Sequence, residues 1–154
     1  MLGHLTDAAG GCVAEYESMP VDENAGQDVD GVVTKVSPWS VADTVARLSA
    51  VVAARRLKTF AVIDHSGEAK NAGLELRDTK LVILGSPAAG TPVMVAAPLA
   101  ALDLPLKVLV WVNGSRTMIS YTAPSALAAR YGLSDDLADR LAGIDVVTDA
   151  VING

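Results

Sequence analysis

Three stretches of the chain carry residues whose types and spacing suit chemistry. The first is Asp64-His65, directly after the apolar run Phe60-Ala61-Val62-Ile63. An imidazole titrates near neutral pH, so His65, oriented by a carboxylate such as Asp64 or Asp103, has the makings of a general base. At a strand end, such groups are held toward a ligand by the rigid sheet behind them. A structural alternative competes: Asp64 caps the next turn, while His65 packs and donates to a carbonyl.

The second stretch is Gly85-Ser86-Pro87-Ala88-Ala89-Gly90-Thr91, a run of small residues that leaves one apolar segment and enters another. Read as a strand-to-helix loop, it offers free N–H groups and a positive dipole end to an anion or oxyanion at Gly90-Thr91. It has neither the lysine nor the spacing of a phosphate-binding P-loop. A tight turn capped by Thr91 is the ligand-free alternative. The third stretch, Asp103-Leu104-Pro105-Leu106-Lys107, places two charges around an apolar turn. They suit an ion pair, at a dimer seam or at the charged edge of a pocket. Beyond these, residues 31–154 hold one histidine, no cysteine and no triad or paired-carboxylate spacing, so no metal site is expected. Met94 and Met118 suit core filling.

Elements must position these groups, and their pattern is readable. Val32, Thr34 and Val36 share one face of a β-branched strand. Ser37 then caps, and Pro38 opens, a helix over about 38–57, with Val41, Val45, Leu48 and Val52 at helical spacing and Arg55, Arg56 and Lys58 at its end. Phe60–Ile63 and Leu81–Leu84 are apolar on both faces and read as central strands, with one or two helical turns between Ser66 and Leu74 ended by Gly73. Thr91 and Pro92 start a helix whose all-round apolar surface predicts full burial, and Pro98 kinks or ends it. Leu106–Val112 alternates up to Asn113-Gly114, a hairpin signal, and Arg116–Thr122 returns. Pro124, Leu127 and Tyr131 outline a helix closed by Gly132; Ser134 caps another that stops at Gly143, and Asp145 caps a last turn. The expected fold is α+β: about five strands, mainly antiparallel, with helices packed on one face.

Length and charge bound the rest. With 154 residues, 51% of them hydrophobic, and one cysteine, the chain is globular and not a disulfide scaffold. Residues 1–30 carry seven acids and no lysine or arginine, punctuated by Gly10, Gly11, Pro20 and Gly26, and read as a flexible acidic arm before one domain over 31–152. The domain's scattered bases form no stripe for phosphates, which argues against nucleic acid. Residues 81–102 contain no charge, yet Pro87, Pro92 and Pro98 argue against a membrane span. Ala9-Gly10-Gly11-Cys12 looks like the tail of a lipoprotein cleavage site, but no basic or apolar leader region precedes it. The expectation is therefore a flexible linker with an incidental thiol in a cytoplasmic protein, and the alternative is a lipoprotein whose start lies farther upstream.

The ordered set Phe60…Ile63-Asp64-His65, Gly85-Ser86-Pro87, Gly90-Thr91, Met94, Pro98 and Asp103-Leu104-Pro105-Leu106-Lys107 closely resembles the bacterial and archaeal domain of unknown function 302 family, over about residues 31–152. Ser86 departs from it, since the family usually has Asn there, an amide that shapes the turn more strongly than a hydroxyl. The resemblance implies a β-α-β-β-β-β-α fold and commonly a homodimer, without an activity to carry over. Three functions follow as expectations. One is a dimeric, non-catalytic ligand-binding or sensing domain using His65, Gly85, Ser86, Gly90, Thr91, Met94, Asp103 and Lys107, with His65, Thr91 and Lys107 converging on a mostly apolar pocket; no particular cofactor is indicated. Another is an enzyme with His65 as base beside the Gly90-Thr91 helix end, and the last is a purely structural dimer.

Overall fold

A computed structural model describes residues 29–154; Cys12 and the acidic arm up to Asp28 lie outside them. Five strands form one wholly antiparallel sheet: β1 (Val32–Ser37), β2 (Lys58–Asp64), β3 (Thr79–Gly85), β4 (Leu106–Asn113) and β5 (Arg116–Thr122), in the spatial order β1-β5-β4-β3-β2. Six helices join them: α1 (Val41–Ala54), α2 (His65–Asn71), α3 (Pro87–Ala96), α4 (Pro124–Tyr131), α5 (Asp135–Leu141) and α6 (Gly143–Asn153). A short 3-10 turn, Pro98–Leu102, follows α3. The fold is therefore the α+β arrangement expected.

Alternation divides the sheet into two faces. Val82 and Leu84 of β3, Val108 and Val110 of β4, and Ile119 and Tyr121 of β5 are buried in one cluster with Val41, Leu48 and Val52 of α1 and Ile144, Val147 and Val151 of α6. Their neighbours Leu81, Ile83, Leu109 and Trp111 turn to the opposite face and stay partly exposed. A second, smaller cluster of Val93, Ala100, Leu127 and Leu141 ties α3, the 3-10 turn, α4 and α5 together. Polar bonds fasten α6 to the sheet: the Tyr121 hydroxyl donates to Asp145, and Lys35 Nζ on β1 donates to Thr148 Oγ1 and Asp149 Oδ1, each at 2.8 Å.

Several elements depart from expectation, each for a local reason. Helix α1 begins at Val41 with Ser40 as its cap. Ser37 instead stays on β1 opposite Thr117, its hydroxyl bonded to Thr44 Oγ1 at 2.7 Å in the interior. The same helix ends at Ala54, because Arg56 turns left-handed (φ 58°) to release the chain into β2, so the trailing bases do not sit in its last turn. Strand β2 is an edge strand, with Phe60 and Val62 more than two-fifths exposed, so its two apolar faces were not a mark of a central place. The hairpin turn is Gly114-Ser115, one residue later than expected, since Asn113 still pairs with Arg116.

Helix α3 starts four residues before Thr91: Ser86 caps it by accepting from the Ala89 N–H, and Pro87 takes the first turn, where a missing N–H costs nothing. It packs beside the 3-10 turn and α5 and buries only Val93, leaving Val95 77% exposed, so the expected full burial does not occur. Finally, Gly143 begins a helix of eleven residues where a stop and a last turn were expected; Asp145 is engaged by Tyr121 and is not its cap. Leu48, 1% exposed at the centre of the main cluster, tests the packing. Leu48→Ala should cost about 2–5 kcal/mol of unfolding free energy, read from urea denaturation, and a loss below about 1 kcal/mol would contradict this assignment of the core.

Candidate functional site

A cavity of about 260 Å³ opens where β3 leaves the sheet and α3 begins. The loop and first turns of α3 supply Gly85, Ser86, Gly90, Thr91 and Met94. Leu84 and Leu106 rise from the sheet, Leu57 and Phe60 close the β2 side, and Ile144 and Val147 of α6 form another wall. The walls are almost wholly apolar. Residues with polar side chains are few among them: Ser86, Thr91 and Arg140, the last on the final turn of α5. Lys58 stands with its Nζ 4.9 Å from the centre of the Phe60 ring.

The local chain explains this space. Gly90 lies inside a helix, where glycine is less favourable than alanine by about 0.5–1 kcal/mol. A Cβ built there would meet Met94 Cε at 3.9 Å and Leu104 Cδ1 at 4.0 Å, both cavity walls, so the missing methyl leaves open volume without relieving a clash. Gly85 similarly faces Pro105 Cβ at 3.6 Å.

Of the residues singled out from sequence, Gly85, Ser86, Gly90, Thr91 and Met94 come together around this cavity, while His65, Asp64, Asp103 and Lys107 do not line it. The expected meeting of two strand ends fails on strand direction. β2 and β3 are antiparallel, with Asp64 paired to Lys80 and Lys58 paired to Gly85. His65 therefore follows the far end of the ladder from the Gly85 loop, about 20 Å away at roughly 3.3 Å per residue. Nor is Gly90-Thr91 a helix terminus, because α3 has already begun at Pro87.

Around Asp64 the bonds are those of a cap. Its Oδ1 accepts from Gly67 N at 2.9 Å and from the Ser66 hydroxyl at 2.8 Å. The Gly67 N–H, followed by the Ser66 hydroxyl, holds its carboxyl below the usual carboxylate range. His65 is exposed on the first turn of α2. Asp103 pairs with α4 and not with Lys107: Tyr131 donates its hydroxyl to it, and Arg130 Nη1 lies 2.9 Å from its Oδ2. Asp103 and Lys107 do line a smaller cavity of about 110 Å³, together with Thr122 and Leu127. Arg140, Leu57 and Phe60 were missed. No motif marks Arg140, and only the fold brings α5 to the mouth of the β3–α3 loop. Among the described residues no group of three or more His, Cys, Asp or Glu side chains is placed to hold a metal ion.

Comparison with known proteins adds the following. A family profile described as "Domain of unknown function DUF302" matches residues 33–151. A protein of Brucella suis named "Fluoride-specific ion channel FluC 1" is 40% identical over 111 residues, which cover 70% of this chain and 44% of that protein. One of Brucella melitensis, named "Fluoride-specific ion channel FluC 2", is also 40% identical over 111 residues, 70% of this chain and 41% of its own. The chain thus spans under half the length of these curated relatives. The crystal structure of an uncharacterized conserved DUF302 protein from Bacillus stearothermophilus superposes with a TM-score of 0.69 at 17% identity, over 81% of this chain and 98% of that one, a likeness of fold.

The Asp103 cluster yields a pH test. The Tyr131 hydroxyl first, then Arg130, hold the Asp103 carboxyl below its ordinary range against the opposing effect of burial. A lowered folded pKa stabilises the fold fully above the normal carboxylate range, and that stabilisation is lost as pH falls through the lowered value. Asp103→Asn should cost about 1–2 kcal/mol at neutral pH, and the gap to the parent in thermal midpoint should narrow in strong acid. A gap that stays constant with pH would refute the assignment.

Proposed function

The chain belongs to the family described as domain of unknown function DUF302, and on that footing we propose that it is a non-catalytic small-ligand-binding or sensing domain whose site is the cavity between β3, α3 and α6. The observation that carries this reading is an apolar hollow with a few convergent polar groups, built partly from a helix glycine that sacrifices stability to keep volume open. At about 260 Å³ it lies just under the roughly 300–1,000 Å³ of drug-sized sites, so its ligand is small. An enzyme with His65 as base beside the α3 loop is disfavoured, since β2 and β3 hold the two ends of that arrangement apart.

The fluoride-channel relatives extend the proposal. No helix of the described residues here is long and apolar enough to cross a membrane, so fluoride conduction is assigned to the remaining length of those proteins, and the shared stretch to a ligand-responsive part of them. The site is tested by thermal shift across a panel of small metabolites. Binding at a hundredfold excess over Kd should raise stability by about 2.7 kcal/mol, and a panel without a single stabilising compound counts against the reading. Gly90→Ala, which adds a methyl to the cavity in ordinary contact, should raise the stability of the free protein by about 0.5–1 kcal/mol while weakening binding; a variant that binds undiminished would remove Gly90 from the site.

We also propose that two copies associate through the sheet face turned away from α1 and α6. Leu81, Ile83, Leu109 and Trp111 form its centre, and Ile63 and Val36, 36% and 45% exposed, extend it to both edges. Light scattering over a wide concentration range should give twice the monomer mass, with Leu109→Glu reverting it to one. A strict monomer at high concentration would exclude this association.

A further inference from the structure

We infer that the ligand of this cavity is an amphiphile carrying a single negative charge, with an apolar body in the hollow and a carboxylate or similar small anionic head at the Arg140 rim; the inference rests on the cavity being the binding site. Three observations converge on it. Every charged lining side chain is a cation, and it is one: Arg140, with no Asp or Glu in the wall. Among the described residues, the ion pairs formed are Lys35–Asp149 and Arg130–Asp103, so the guanidinium of Arg140 keeps its donors for a ligand. The remaining polar side chains can also donate. The Ser86 hydroxyl oxygen already accepts from the Ala89 N–H and retains its own proton to give, and the Thr91 hydroxyl forms no bond within the described fold.

A cavity presenting donors and one guanidinium selects an acceptor head, and a guanidinium pairs with a carboxylate in bidentate fashion. A cationic ligand would find no counter-charge in the wall. A neutral apolar molecule would fill the hollow yet gain nothing from Arg140, while a polyanion would place surplus charge against the apolar wall of Leu84, Met94 and Ile144. Lys58, poised over the Phe60 ring, adds positive potential on that side of the cavity. The volume suits a short chain or one ring.

The test is titration calorimetry on the full chain with octanoate, octanol and octylammonium, at low and high salt. Octanoate should bind about three- to tenfold more tightly than octanol, the advantage shrinking as salt rises, because the pair is at a solvent-facing rim. Arg140→Gln should erase that preference while octanol still binds, which also shows that the variant is folded; Arg140→Lys should restore part of it, and Arg140→Glu should favour octylammonium. Equal binding of octanol and octanoate by the parent chain, or a carboxylate preference that survives Arg140→Gln, would overturn the anionic head while leaving the cavity as a binding site. Failure of all three probes would overturn the cavity reading together with this one.

Discussion

Everything at the cavity depends on α6 being held against the sheet. Apolar contact alone, through Ile144, Val147 and Val151, would let a helix slide or rotate within the slack of a non-directional attraction. The bonds from Tyr121 to Asp145 and from Lys35 to Thr148 and Asp149 remove that freedom, because each requires one register of α6 against β1 and β5. Burial pulls the Lys35 ammonium toward losing its proton, but Asp149 and Tyr121 outweigh it and raise its pKa. The Tyr121 hydroxyl is pushed up by burial and then by Asp145. Both groups thus stay protonated donors across the physiological range, and the wall that Ile144 and Val147 give the cavity stays fixed.

The architecture was legible where a single chemical signal dominates. Alternation identified β4 and the hairpin signal after it β5, Gly132 marked the end of α4 with its left-handed φ of 61°, and Pro98 ended α3. Boundaries failed where two signals compete within a few residues. Ser37 and Ser40 are both good helix caps, and the buried bond to Thr44 settles which of them remains on the strand. Ser86 and Thr91 compete likewise, each followed by a proline, and the bond from the Ala89 N–H to the Ser86 hydroxyl shows which of them caps the helix.

The site was half legible for a different reason. Gly85, Ser86, Gly90, Thr91 and Met94 all fall within residues 85–94, so one loop and helix bring them together whatever the rest of the chain does. Grouping His65 with them required a strand direction that no local pattern encodes, and antiparallel pairing of β2 with β3 sends it to the other end. Arg140 shows the converse: about fifty residues from the loop in sequence and without a motif, it enters only through the packing of α5 on α3. A resemblance carried by short ordered motifs can mark the family while leaving open which of those motifs share a site.

The break in register between Thr59 and Ala61 has a consequence beyond the cavity that Phe60 lines. Because β2 is the outermost strand on its side, its free backbone groups are a template on which a foreign strand can stack, the first step of fibril growth. An extra residue at Phe60 splits that edge into two short stretches out of phase with one another and twists it locally. The irregularity that turns an aromatic ring toward the hollow thereby also makes the border of the sheet a poor seed for aggregation.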